Sequence, residues 1–211
     1  MSDITTLNRD TKSWVLLIFL GFIWGFSFLA VSISLESFAP IQVAAFRITL
    51  GALVVFLFCI LVGEPIPRLK PADAKVWKYC LGMALFSNVI PFCLLSWSLL
   101  YVDSSFAGIT MTMVPLAVLP LSHFFGRGDP MTKGKVLGFS IGFLGAILLF
   151  EPFENFTFGL NDETFTPKLV CFLATLCYAT GSIITRRSPQ SVSSFSFSAG
   201  ALILASIIIL P

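Results

Sequence analysis

Apolar residues arrive along this chain in long unbroken runs rather than in stripes. Seven such runs occupy 13–35, 40–62, 75–102, 104–126, 134–150, 167–187 and 192–210. Each predicts an element able to cross an apolar layer of roughly 30 Å at about 1.5 Å per residue. Continuous apolarity predicts helices, because a barrel strand alternates between lipid-facing and inward residues. A helix also satisfies its own backbone groups in lipid. The first run is too long, starts too late and lacks the small-residue cleavage site of a signal peptide, so it reads as a span.

Composition agrees with that reading. Of 211 residues, 56% are hydrophobic and 11% charged, against about 25% charged in a soluble domain. Placing the N-terminus inside puts Arg9, Lys12, Arg68, Lys70, Lys75, Lys78, Arg127, Lys133, Lys135, Arg186 and Arg187 on the inner side. Only Lys168 falls outside, and Arg47 falls within a span. The outer segments carry Glu36, Asp103, Glu151, Glu154, Asp162 and Glu163. This asymmetry predicts a cytoplasmic N-terminus. The net charge of +2 therefore reports topology and gives no footing for a nucleic-acid partner; the lipid bilayer is the expected surrounding. Cys59, Cys80, Cys93, Cys171 and Cys177 lie in or at the ends of spans without ligand-like spacing. Neither a disulfide framework nor a metal or other cofactor is expected.

The chain contains an internal repeat. "PIQVAAFRITLGAL" (40–53) over "PQSVSSFSFSAGAL" (189–202) matches at six of fourteen positions, including Pro40 with Pro189 and Gly51 with Gly200. Trp24 falls opposite Tyr178 when the first connecting loop is taken as five residues longer. Run six then repeats run one, and run seven repeats run two. A five-helix unit returns to the membrane from the opposite side, giving an inverted-topology repeat of the secondary-transporter kind. A complete second unit would place three more helices after Pro211, so the sequence reads as truncated.

At this point the residues resemble a known family. "LGFIWGFSFLAVSISLESFAPIQVAAFRITLGALVV" is similar to the opening two helices of EamA-type transporters in the drug/metabolite transporter superfamily, through Trp24, Gly25, Phe28, Pro40 and Arg47. "SLLYVDSSFAGITMTMVPLAVLPLSHFF" resembles helices three to four, with Pro115 in the family's place, and "MTKGKVLGFSIGFLGAILL" resembles helix five through Gly138 and Gly145. One local departure is "GRGDPM", where the family usually has Glu and this chain has Asp129. The resemblance implies an all-α integral membrane fold: seven transmembrane helices of a ten-helix inverted repeat. It divides the chain into a first EamA repeat (1–150), an outer loop (151–166) and the start of a second repeat (167–211). It also implies alternating-access transport, often outward and without ATP hydrolysis, of small metabolites, amino acids or drug-like compounds across the plasma (inner) membrane.

Depth along each run nominates the site. Trp24, Asn88, Pro115 and Tyr178 fall near the midpoints of runs one, three, four and six, the level at which inverted-repeat transporters hold substrate. Inward faces are expected at Asn88, Pro91, Leu95 and Ser98; at Gly108, Thr112, Pro115, Leu119 and Ser122; and at Thr175, Tyr178, Ser182 and Thr185. Polar residues within a membrane tend to face such an interior. Trp24, Asn88, Thr112, Pro115 and Tyr178 are the expected substrate-binding set, although small residues and prolines equally serve helix packing and kinks. Gly21–Gly25 and Gly134–Gly138–Gly142 are expected as close-packing seams.

Arg47 lies about a third of the way in from the outer face. It is expected either to snorkel outward as an anchor near Glu36 or to face the cavity as a gate for anions. Its repeat equivalent is Ser196. No Asp or Glu falls within a membrane interior, which points to a neutral, zwitterionic or amphipathic small-molecule substrate.

Two other classes are weighed. A membrane-embedded enzyme would need catalytic groups at one face; the single histidine, His123, near Arg127 and Asp129, reads as a packing residue, so no enzyme is expected. The "NFT" sequon at 155–157 matters only in a secretory-pathway host. The nearer alternative is an inactive or partner-dependent piece of a transporter, with self-association or a complementing chain supplying missing surfaces.

Overall fold

The structure, a computed structural model, describes residues 3–67, 74–125, 132–149, 165–189 and 192–210, with side chains from Thr11 onward except at 146 and 149. These residues are helical throughout apart from short connections, and no strand occurs among them. Runs one and two form α1 (Asp3–Ser34) and α2 (Pro40–Val62). Run three is a composite of α3 (Ala74–Met83), a π-helical segment (Ala84–Val89) and α4 (Ile90–Ser98). Run four divides into α5 (Ser104–Met111) and α6 (Val114–Phe125). The rest give α7 (Lys133–Leu149), α8 (Phe165–Arg186) and α9 (Ser194–Ile209).

Five stretches are long and apolar enough to cross a membrane: Thr11–Ser34, Pro40–Val62, Ala74–Ser98, Ser104–Phe125 and Phe165–Arg186. The helices α7 and α9, with 17 and 16 residues, rise only about 25 Å. Residues 68–73, 126–131 and 150–164, with Arg68, Lys70, Arg127, Asp129 and the sequon, lie outside the described residues.

Local chemistry sets the helix ends. Pro40 occupies the first turn of α2, where no donor is needed, and the Gln42 side chain accepts from the Ala39 N–H at 3.0 Å. The same helix closes on Gly63 at φ 74, a left-handed conformation that glycine adopts without strain. Ser193 caps α9 by accepting from the Ser196 N–H at 3.1 Å.

The π segment has a cause too. Pro91 follows it and cannot donate to a preceding carbonyl. The wide turn is closed instead by the Asn88 side chain, which donates to the Met83 carbonyl at 3.2 Å. At the break between α5 and α6, Thr112 turns back on the Ile109 carbonyl through its hydroxyl at 2.7 Å. Pro115 begins the next turn and disfavours α-geometry at Val114.

Two antiparallel pairings organise the bundle. Ser206 meets Thr49 at 3.3 Å, and at the other end Ser193 donates to the Glu64 carboxylate at 2.8 Å. Ser196 also donates to the Pro65 carbonyl. Helices α2 and α9 therefore run in opposite directions, sealed by Ala44, Ile48, Ala205 and Ile209. The composite α3–α4 lies antiparallel along α8: Ser98 donates to the Pro167 carbonyl at 2.7 Å, the Phe92 ring meets Tyr178 at a tilt of 58°, and Gly82 lies under Ile184. Between them, a Cβ on Gly181 would collide with the Ser87 Oγ. Glycine is what lets α8 approach the bulged π segment so closely. The rods α3 and α9 run side by side through Val76, Cys80, Phe197 and Ala201.

The glycine seams do not pack as the sequence suggests. Added Cβ atoms at Gly21, Gly25, Gly134 and Gly138 would meet nothing within 4 Å; only Gly142 does, against Leu116 of α6. These glycines sit on helix faces turned away from the described neighbours.

Candidate functional site

A cavity of about 260 Å³ opens where α1, α2, α4, α5 and α8 converge. Its walls are largely aromatic: Trp24 and Phe28 from α1, Phe92 from α4 and Tyr178 from α8. Ser27 and Ser87 add hydroxyls, and Arg47 adds a charge. The core beneath it, with Val31, Leu95, Met111, Cys171 and Ala174, fixes the α4, α5 and α8 walls against one another. Trp24 is different, with 54% of its surface exposed; the α1 side is the open wall.

Arg47 points across α2 into this space. Its guanidinium carbon sits 4.2 Å from the centroid of the Phe92 ring. A desolvated cation over an aromatic face gains about 2 kcal/mol. An arginine at the centre of a membrane helix costs about 2.5–3.5 kcal/mol on insertion scales; Arg47 lies nearer the start of α2, and the ring offsets part of its smaller cost. A second cavity of about 290 Å³ lies towards the α1–α2 connection, lined by Ala30, Val31, Ser34, Phe38, Val43 and Phe46. Ser27 and Arg47 line both and form their shared wall. No carboxylate lines either one.

Of the residues nominated from sequence, Trp24, Tyr178 and Arg47 meet at one cavity. Asn88 is buried within its own helix turn, where it donates to the Met83 carbonyl, and does not line the cavity. Its neighbour Ser87 takes that place, because a π turn shifts the facing register relative to an α-helix. Thr112 and Pro115 are exposed at the α5–α6 break and line no part of this cavity. Ser27, Phe28, Ser87, Phe92 and Met111 were not nominated. For Ser27 and Phe28 the signal is spacing, at three and four residues from Trp24 on one helix face. Phe92 is one of 23 phenylalanines and carries no mark of its own.

A larger groove of about 650 Å³ lies between α3, α6 and α8, with Lys75, Lys78 and Arg187 among its lining and Gly82, Leu121 and Ile184 on its walls. His123 is exposed and packs its ring edge-on against Phe124.

A family model, the EamA-like transporter family, matches residues 12–151. The chain belongs to that family. It is 28% identical over 203 residues to an uncharacterized transporter of Archaeoglobus fulgidus, covering 95% of this chain and 67% of the relative. It is 27% identical over 130 residues to the uncharacterized inner membrane transporter YedA of Escherichia coli, covering 62% of this chain and 40% of that one. The uncharacterized transporter YoaV of Bacillus subtilis is 19% identical over 188 residues, covering 89% and 62%. The chain thus spans between two fifths and two thirds of these relatives' lengths. No solved structure matches it. EamA membership and five apolar helices of crossing length make it an integral membrane protein. The family match runs from α1 to the end of α7, so Trp24, Arg47 and Phe92 lie inside it and Tyr178 beyond it.

Proposed function

We propose that this chain carries the substrate site of a multi-pass transporter that moves small organic molecules by alternating access, in the export direction, across the cell membrane. One observation carries the reading: Trp24 and Tyr178, aligned with each other by the internal repeat, face one cavity at mid-span. Membrane carriers built from inverted repeats hold substrate at that level. The antiparallel course of α2 and α9 supports the same plan, in which seven helices represent one five-helix unit and the opening of a second. The α1 wall, which buries Val31 alone from Thr11 onward, is the side that opens and closes.

The test uses the chain in lipid nanodiscs, screened by thermal shift against a library of small metabolites. Compounds that stabilise it should lose at least about tenfold in affinity with Trp24→Ala or Tyr178→Ala. Trp14→Ala, at an exposed position, should change nothing. Hits are then tested for counterflow in proteoliposomes; binding that ignores both Trp24 and Tyr178 would remove this cavity from consideration. Orientation is checked with Ser37→Cys in the α1–α2 connection and Lys133→Cys before α7. An impermeant maleimide should label the first in intact cells and spare the second.

A further inference from the structure

Resting on that reading of the cavity, we propose that Arg47 is its anion-binding residue and that the cavity takes small monocarboxylates with an apolar or aromatic body. Among the described residues lining its two cavities, the Arg47 guanidinium meets no carboxylate. From Thr11 onward no described helix contains Asp or Glu. The ring of Phe92 meets the cation at 4.2 Å but accepts none of its five N–H donors as a carboxylate would. Arginine presents those donors as a planar fork matched to a planar anion. A charge held among aromatic rings, with no carboxylate beside it among the described residues, is a place for a ligand's charge.

The rest of the lining sets the ligand's body. Trp24, Phe28, Phe92 and Tyr178 line the space that Arg47 shares, with Ser27 and Ser87 as the small hydroxyls. Aromatic walls suit a flat or branched apolar group, and about 260 Å³ limits it to a small one. Organic cations are excluded by the positive charge at the shared wall, even though the same rings would otherwise attract them. Entry from the α1–α2 side brings an anion past Ser27 and Arg47 before it reaches the central cavity.

The probes are phenylacetate, its neutral isostere phenylacetamide, and phenethylammonium, titrated against the full chain in nanodiscs. Phenylacetate should bind at least about tenfold more tightly than the amide, the factor expected of a charge-assisted pair. The ammonium compound should not bind. Arg47→Gln should abolish the preference for acid over amide, while Arg47→Lys should weaken phenylacetate yet keep the order. Equal binding of acid and amide to the unmodified chain, with both lost in Trp24→Ala, would overturn the carboxylate assignment and leave the cavity standing. Binding of none of the three, or binding untouched by Trp24→Ala, overturns both. Because the acid-to-amide ratio is read on the unmodified chain, a misfolded Arg47→Gln does not block the decision.

Discussion

Helices α8 and α1 are both long, apolar and rich in small residues, yet the bundle holds them very differently. In α8, Pro167, Cys171, Ala174, Thr175, Ala179, Gly181 and Ile183 are buried, and side chains from α4 and the π segment reach its backbone. Along α1 from Thr11, Val31 alone is buried, and Gly21 and Gly25 face open space. Small residues therefore bring helices together only where the opposing surface protrudes to meet them. The π bulge at Ser87 protrudes; nothing described does so towards Gly21. One wall of the cavity is thus closely packed and the other lightly held, an asymmetry that the proposed alternating access would use.

The contrast can be broken most sharply at Gly181. Leucine there would force its side chain into Ser87 and the Phe86 backbone, at about 3 kcal/mol, the upper range for overpacking. Loss of the monodisperse species on size exclusion is the expected result. Asn88→Leu should cost about 2 kcal/mol by leaving the Met83 carbonyl without its donor, seen as a lowered unfolding midpoint in detergent. Ser98→Ala removes the 2.7 Å bond to Pro167 and should cost about 1 kcal/mol, within the range measured for interhelical bonds in membranes. Gly25→Leu, on the open face of α1, should stay within about 0.5 kcal/mol of the parent. If it matches Gly181→Leu instead, α1 is held as firmly as α8 and the asymmetry fails.

Much of this was legible beforehand, and the exceptions share a physical cause. All seven apolar runs are mainly helical where described, and Pro40, Gly63 and Ser193 mark ends through their own chemistry. Depth placed Trp24 and Tyr178 at one level, and they line one cavity, because height follows from counting along a regular helix. Asn88 did not obey that count, since the π segment replaces regular turns with wider ones just where the face was being read. Thr112 and Pro115 fail similarly: the α5–α6 break ends the regular periodicity before them. The inward course of Arg47 depends on Phe92, 45 positions away on another helix, and no periodicity within run two contains that partner.

The clasp between Glu64 and Ser193 joins residues 129 positions apart. During synthesis at about 5–20 residues per second, the end of α2 waits on the order of ten seconds for α9 to emerge. Its Ala44, Ile48 and Cys59 face spends that interval against acyl chains, a tolerable host because lipid tails are as apolar as the helix that replaces them. Assembly of the bundle is therefore paced by the ribosome at this seam, with lipid as the temporary occupant of the α9 groove.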